Sequence, residues 1–187
     1  TTNMGTKFPL KYYSLKVTQN TEYLFPHSLN FSTNIYYLYR YSIANNTLVD
    51  SVAIPRPTAY LVDISLNGLH YLGGSSTSIY KVNPLNLSEY TEYSNTSITG
   101  DPNDKFSSIS IANNGLAAIT TTNSFILYDF TSNEVVYKEN STRSNILISP
   151  NGKYIIQNKY WSGILFYKYE SGSLDTVGFI DTFASSV

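Results

Sequence analysis

Cysteine is absent from the 187-residue chain, which excludes disulfides, thiolate metal centres and cysteine nucleophiles. Charge is scarce as well. Asp, Glu, Lys and Arg make up only 13% of the residues and nearly cancel, at a net charge of −1. So weak and even a charge gives no general basic field to displace counterions, which argues against a nucleic-acid partner. Histidine occurs twice, at His27 and His70, in unrelated segments, so a zinc site would need carboxylates in an ideal convergence. No run approaches the roughly 20 apolar residues that span a bilayer as a helix. The opening Thr1-Thr2-Asn3-Met4-Gly5 shows no charged or apolar signal region. Either a leader has been removed or the chain starts inside a longer protein. A Gly-x-Ser-x-Gly nucleophile elbow is missing, and Gly73-Gly74-Ser75-Ser76 carries no Walker lysine.

What the chain does have is aromatic and apolar residues in quantity. Tyrosine occurs 18 times and phenylalanine 9 times, and apolar residues reach 42%, enough to bury a real core. Three segments align on an Asn-Gly pair: Val62 to Gly68, Ile109 to Gly115 and Ile146 to Gly152. In each, two aliphatic residues two apart share one face of a strand, and the Asn-Gly that follows predicts a tight type I′ hairpin. A second strand follows each turn, with Leu72, Ile119 and Ile156 at one offset from the glycine.

A second landmark recurs at Tyr39, Tyr80, Tyr128 and Tyr167, each followed by a charged and then an apolar residue. These tyrosines stand about 40 residues apart, the spacing of a propeller repeat. Each is followed by a turn and a further strand. The unit is therefore four short antiparallel strands, which predicts an all-β fold, a β-propeller of about four blades. The blades are placed at about 7–53, 58–94, 106–138 and 145–180, in a single domain.

The stretch from Ser124 to Gln157, with Ile126-Leu127-Tyr128-Asp129-Phe130 and Ile148-Ser149-Pro150-Asn151-Gly152-Lys153-Tyr154-Ile155, resembles the repeat of WD40-like and YVTN-type propellers. The Gly-His and Trp-Asp dipeptides of true WD40 repeats are missing, so the polar network they support is not implied. That family usually closes with six to eight blades. Four blades therefore form a narrow ring of their own, or the chain is a fragment of a larger ring, or a second copy or another chain completes that ring.

Alternating strand directions gather one set of loops on one face of such a ring, the default place for a ligand. That face collects His27, Arg56, the loop from Asn95 to Lys105, Arg143, Tyr160 and Trp161. Arg56, Arg143, Tyr160 and Trp161 are the candidate ligand contacts, with Trp161 stacking on a sugar or anchoring a protein, or else packing between blades. Asp101, Asn103 and Asp104 supply oxygens for a surface Ca²⁺, or a Pro-containing turn with Asx caps. Asp63, whose equivalents are Ser110 and Leu147, lines the channel or caps a backbone group.

No metal, cofactor or catalytic set is expected. The leading reading is a non-catalytic interaction module that binds a protein partner, or itself, through its loop face or open edge. A carbohydrate- or small-ligand-binding propeller is the second reading. A lactonase- or quinoprotein-like enzyme is the third, and it would need several more inner-loop Asp, Glu, Asn or His residues. A periplasmic, secreted or cell-surface location is favoured over the cytoplasm by the missing cysteine and the polar, uncharged surface.

Overall fold

The computed structural model describes residues 12–19, 22–30, 35–55, 61–140, 144–159 and 163–181. They form four antiparallel sheets, each four strands in chain order. The first holds β1 (Tyr12–Val17), β2 (Tyr23–Asn30), β3 (Ile35–Ser42) and β4 (Thr47–Pro55); the second β5 (Leu61–Ile64), β6 (Tyr71–Gly74), β7 (Ser78–Asn83) and β8 (Asn86–Ser94). The third holds β9 (Phe106–Ile111), β10 (Leu116–Thr121), β11 (Ser124–Asp129) and β12 (Glu134–Asn140). The fourth holds β13 (Ser144–Ile148), β14 (Tyr154–Lys159), β15 (Gly163–Glu170) and β16 (Ser173–Ile180). One short helix, α1 (Asn95–Thr99), lies in the segment read from sequence as a loop; Ser94 caps its start and Gly100, at φ +79°, ends it.

The sheets stack in chain order through their first strands, β5 against β9 and β9 against β13. Each stacking junction encloses an apolar cluster. Phe25 and Leu38 meet Tyr71, Tyr80 and Val82 between blades one and two. Leu61, Leu72 and Ile79 meet Ile109, Ala117 and Ile126 between blades two and three. Ala118, Phe125 and Leu127 meet Ile146, Ile155 and Tyr167 between blades three and four. Alternation along each strand turns one set of side chains to the preceding blade and the other to the following one.

The Asn-Gly turns differ from the type I′ expectation. Type I′ needs positive φ at both central residues. Here only the glycines, Gly68, Gly115 and Gly152, are left-handed; Asn67, Asn114 and Asn151 are not. Each asparagine instead folds its amide oxygen back onto the chain, as Asn67 Oδ1 does in accepting from Leu69 N at 3.1 Å. A pair with positive φ at both positions occurs at Ser171-Gly172.

Register also slips once between repeats. In blade two Ser65 N donates to His70 O, while in blade three Ala112 N donates to Leu116 O, one residue sooner. The Ser65 hydroxyl accepts from His70 N at 3.0 Å and fills the wider loop, as Ser149 does for Tyr154 N. Ala112 has no hydroxyl, and its hairpin closes tighter. The partner of Leu72 and Ile156 in register is therefore Ala118, not Ile119. In the same way Tyr41, Val82, Tyr128 and Tyr167 share one position on the third strands, and Tyr39 and Tyr80 lie two residues earlier on the same face.

Candidate functional site

With register corrected, one row of positions faces the following blade: Phe25, Leu72, Ala118 and Ile156 on the second strands. Leu72 and Ala118 are both 0% exposed, whereas Ile156 is 38% exposed. The adjoining first-strand row runs Asp63, Ser110, Leu147. Asp63 is 8% exposed, Ser110 3% and Leu147 60%. The same face of blade four also carries exposed Tyr154 and Ile180 and half-buried Ile164 and Phe166. The fourth sheet thus exposes an apolar face that its three predecessors bury.

Polar contacts at these positions explain how the covered faces are held. Asp63 accepts from Ser110 Oγ and from Ile111 N, both at 2.9 Å, across the junction of blades two and three. Ser110 Oγ in turn accepts from Ile148 N of blade four at 3.2 Å, and Ser108 Oγ from Ile146 N at 3.2 Å. Side chains of blades two and three thus cap edge N–H groups of the next blade's inner strand. Of the two alternatives for Asp63, the capping one is the geometry found.

A second lock lies further out, on the third strands. Arg40 Nη1 donates to Pro84 O at 3.1 Å, and Lys81 Nζ to Phe130 O at 2.7 Å, two equivalent carbonyls one blade ahead. At the same position blade three has Leu127 and blade four Phe166. Asp50 adds a contact from blade one, accepting from Leu87 N at 2.7 Å. The polar locks therefore give way to apolar residues along the chain, and at blade four both lock positions, Leu147 and Phe166, are apolar.

A groove of about 750 Å³ runs along the outer seam of blades two and three, lined by Lys81, Tyr90, Tyr93, Phe130 and Asn133. Two of its polar groups are matched within the chain: Lys81 binds Phe130 O, and Tyr93 Oη donates to Asn133 Oδ1 at 2.7 Å. His70, nearby, has a buried Nδ1 without a hydrogen-bond partner, and burial followed by the Lys81 charge lowers its pKa below 6.5. Burial, reinforced by Glu139 and Tyr137, pushes the Tyr167 hydroxyl up to about 12, and that hydroxyl donates to Gln157 Oε1 at 3.0 Å.

Of the contacts expected from sequence, Arg56, Arg143, Tyr160 and Trp161 lie outside the described residues, and so does the side chain of His27. Asp101 Oδ1 accepts from Asn103 N at 2.8 Å, the Asx-turn arrangement. Asp104 turns inward, 2% exposed, where it accepts from Asn123 N and Ser124 Oγ. Both carboxylates are thus engaged within the chain, Asp101 in its own turn and Asp104 against the β10–β11 turn. Among the described residues, no group of three or more His, Asp or Glu side chains converges as metal ligands. Among the described residues no helix is long and apolar enough to cross a membrane.

No protein-family model matches the chain, and no curated protein matches it. Solved structures do. A protein of unknown function from Desulfotomaculum acetoxidans superimposes with a TM-score of 0.64 at 16% identity, over 91% of this chain and 56% of that one. The WD40 repeats of RRP9 give a TM-score of 0.63 at 14% identity, over 93% of this chain and 54% of theirs. A chain of the mitotic checkpoint complex gives 0.59 at 10% identity, over 91% and 65%. The chain therefore spans little more than half to about two thirds of the structures it matches. Four meandering four-stranded sheets and these superpositions give the chain a WD40-like β-propeller fold.

Proposed function

We propose that this propeller is a non-catalytic interaction module that binds a protein through the open face of its fourth blade. The observation that carries this reading is the contrast within one register row, where Ile156 and Leu147 are exposed and Leu72, Ala118, Asp63 and Ser110 are buried. Apolar surface of this kind is stabilised by removal from water, at about 25 cal/mol per Å². Contiguous exposed apolar faces on soluble proteins mark sites of association. Likeness to propellers such as the WD40 repeats of RRP9 supports the interaction reading at the level of fold.

The test is a photo-reactive phenylalanine analogue placed at Ile156, irradiated in the cells that make the protein. Covalent adducts to protein are expected there and not at an exposed rim position such as Leu85. If Ile156 yields no protein adduct above the Leu85 background, the reading fails.

A further inference from the structure

We propose that Asn114-Gly115 is a site of spontaneous deamidation, a covalent change independent of the fourth-blade face, and that the fold guards the other two Asn-Gly pairs against it.

The reaction needs only the chain and water. The glycine backbone nitrogen, after losing its proton to solvent, attacks the asparagine Cγ, with no Cβ on the glycine to hinder the approach. The new N–Cγ bond closes a five-membered succinimide, the Cγ–Nδ2 bond breaks and ammonia leaves. Water then opens the ring at either carbonyl, giving aspartate or isoaspartate. Two kinds of hydrogen bond in a fold slow the first step: those that hold the amide oxygen in place, and one that occupies the glycine N–H.

The three pairs differ in both. Asn67 Oδ1 accepts from Ser65 Oγ at 2.7 Å and from Leu69 N at 3.1 Å, and Asn67 Nδ2 donates to Asn113 O at 3.1 Å. Gly68 N donates to Ser65 O at 2.8 Å. Asn151 Oδ1 accepts from Ser149 Oγ at 2.7 Å and from Lys153 N at 3.0 Å, and Gly152 N donates to Ser149 O at 2.9 Å. Asn114 is held least. Among the described residues its Oδ1 accepts only from Leu116 N, at 3.3 Å, and Gly115 N reaches Ala112 O at 3.2 Å. Both distances are at or beyond the long end of the usual range. Asn114 is also exposed, whereas Asn67 is half-buried.

Two departures from the repeat account for this. Ala112 stands where Ser65 and Ser149 stand, and has no hydroxyl to give the amide oxygen. Pro150 of blade four stands where Asn113 stands in blade three. It has no side-chain oxygen to take Asn114 N as Asn113 Oδ1 takes Asn67 N, and its carbonyl is met by Asn113 N.

Conversion bears on the junction of blades two and three. Thr131 Oγ1 donates to Asn114 O at 3.3 Å, and buried Gly115 lies against Thr131 and against His70 of blade two. Isoaspartate would lengthen the backbone by a methylene in this packed turn.

The test holds the purified chain at mildly alkaline pH, both folded and unfolded in guanidinium chloride. Cleavage after lysine and arginine puts the three pairs on separate peptides, and tandem mass spectrometry reads the fraction converted at each. The readout is the ratio of folded to unfolded rate at each pair. That ratio should be several-fold higher at Asn114 than at Asn151, and lowest at Asn67. Ser149→Ala, with its sheets checked by far-UV circular dichroism, should raise the ratio at Asn151 toward that of Asn114. Aged protein should carry a fraction that unfolds at lower denaturant than fresh protein. Three equal ratios overturn the proposal, as does Asn67 or Asn151 leading. So does a folded Asn114 that stays intact while the unfolded chain converts, and so does a Ser149→Ala variant with an unchanged rate at Asn151.

Discussion

Asp63 in the second blade accepts a hydrogen bond from Ser110 in the third at 2.9 Å, and both are buried. The same carboxylate takes Ile111 N, so one side chain caps a hydroxyl and an edge amide of the neighbouring sheet. Asp63→Ala leaves both donors without that acceptor in a buried junction. Loss of about 2–3 kcal/mol is expected, read as a lower urea midpoint. Asp63→Asn, which keeps one oxygen acceptor, should recover part of it.

The outer lock makes a separate demand. Lys81→Met preserves the aliphatic stem but removes the donor to Phe130 O. A loss of about 1 kcal/mol is expected. A double-mutant cycle with Asp63→Asn should be close to additive if the two locks act independently at the same junction. Strong coupling would mean that the sheets separate as one unit at both points.

Two left-handed glycines separate backbone strain from crowding. Gly115 has φ +86°, and an added Cβ would lie 2.5 Å from Thr131 Oγ1 and 3.3 Å from His70 Cε1. Gly100, at φ +79°, has open space where its Cβ would be. Gly100→Ala should cost about 1 kcal/mol, the penalty of the conformation alone. Gly115→Ala should cost clearly more, because the Thr131 side chain must also move. Thermal melts of the two variants measured together give the comparison.

How much of this was legible in the sequence follows from what repeats. Alternating aliphatics and the Asn-Gly pairs revealed four-stranded units, because strand period and turn residues are local properties. Register was not fully legible. Ser65 and Ser149 widen their hairpins through a hydroxyl that Ala112 lacks, so counting from the glycine put Ile119 where Ala118 belongs. The open face was half visible. Leu147 stands in the row of Asp63 and Ser110, a break in polarity, but its meaning depends on seeing those two cap the next blade. The aromatic candidates Tyr160 and Trp161 fall outside the described residues.

His70 gives the fold a pH dependence with a definite sign. Its folded-state pKa lies below 6.5, chiefly through burial and then through Lys81. The unfolded chain therefore binds a proton at a pH where the folded chain does not. Its contribution is fully present above pH 6.5 and is lost as pH falls through the lower folded value. Urea midpoints should decline between about pH 7 and pH 5. His70→Gln should flatten that decline. An unchanged slope would assign it to other groups.

The most direct measurement compares one register position in two blades. Leu72→Ala and Ile156→Ala are to be unfolded in urea. Leu72, fully buried between blades two and three, should cost about 2–5 kcal/mol. Ile156, 38% exposed on the fourth sheet, should cost less than about 1 kcal/mol. Equal losses at the two positions would contradict radial stacking that leaves the fourth blade uncovered.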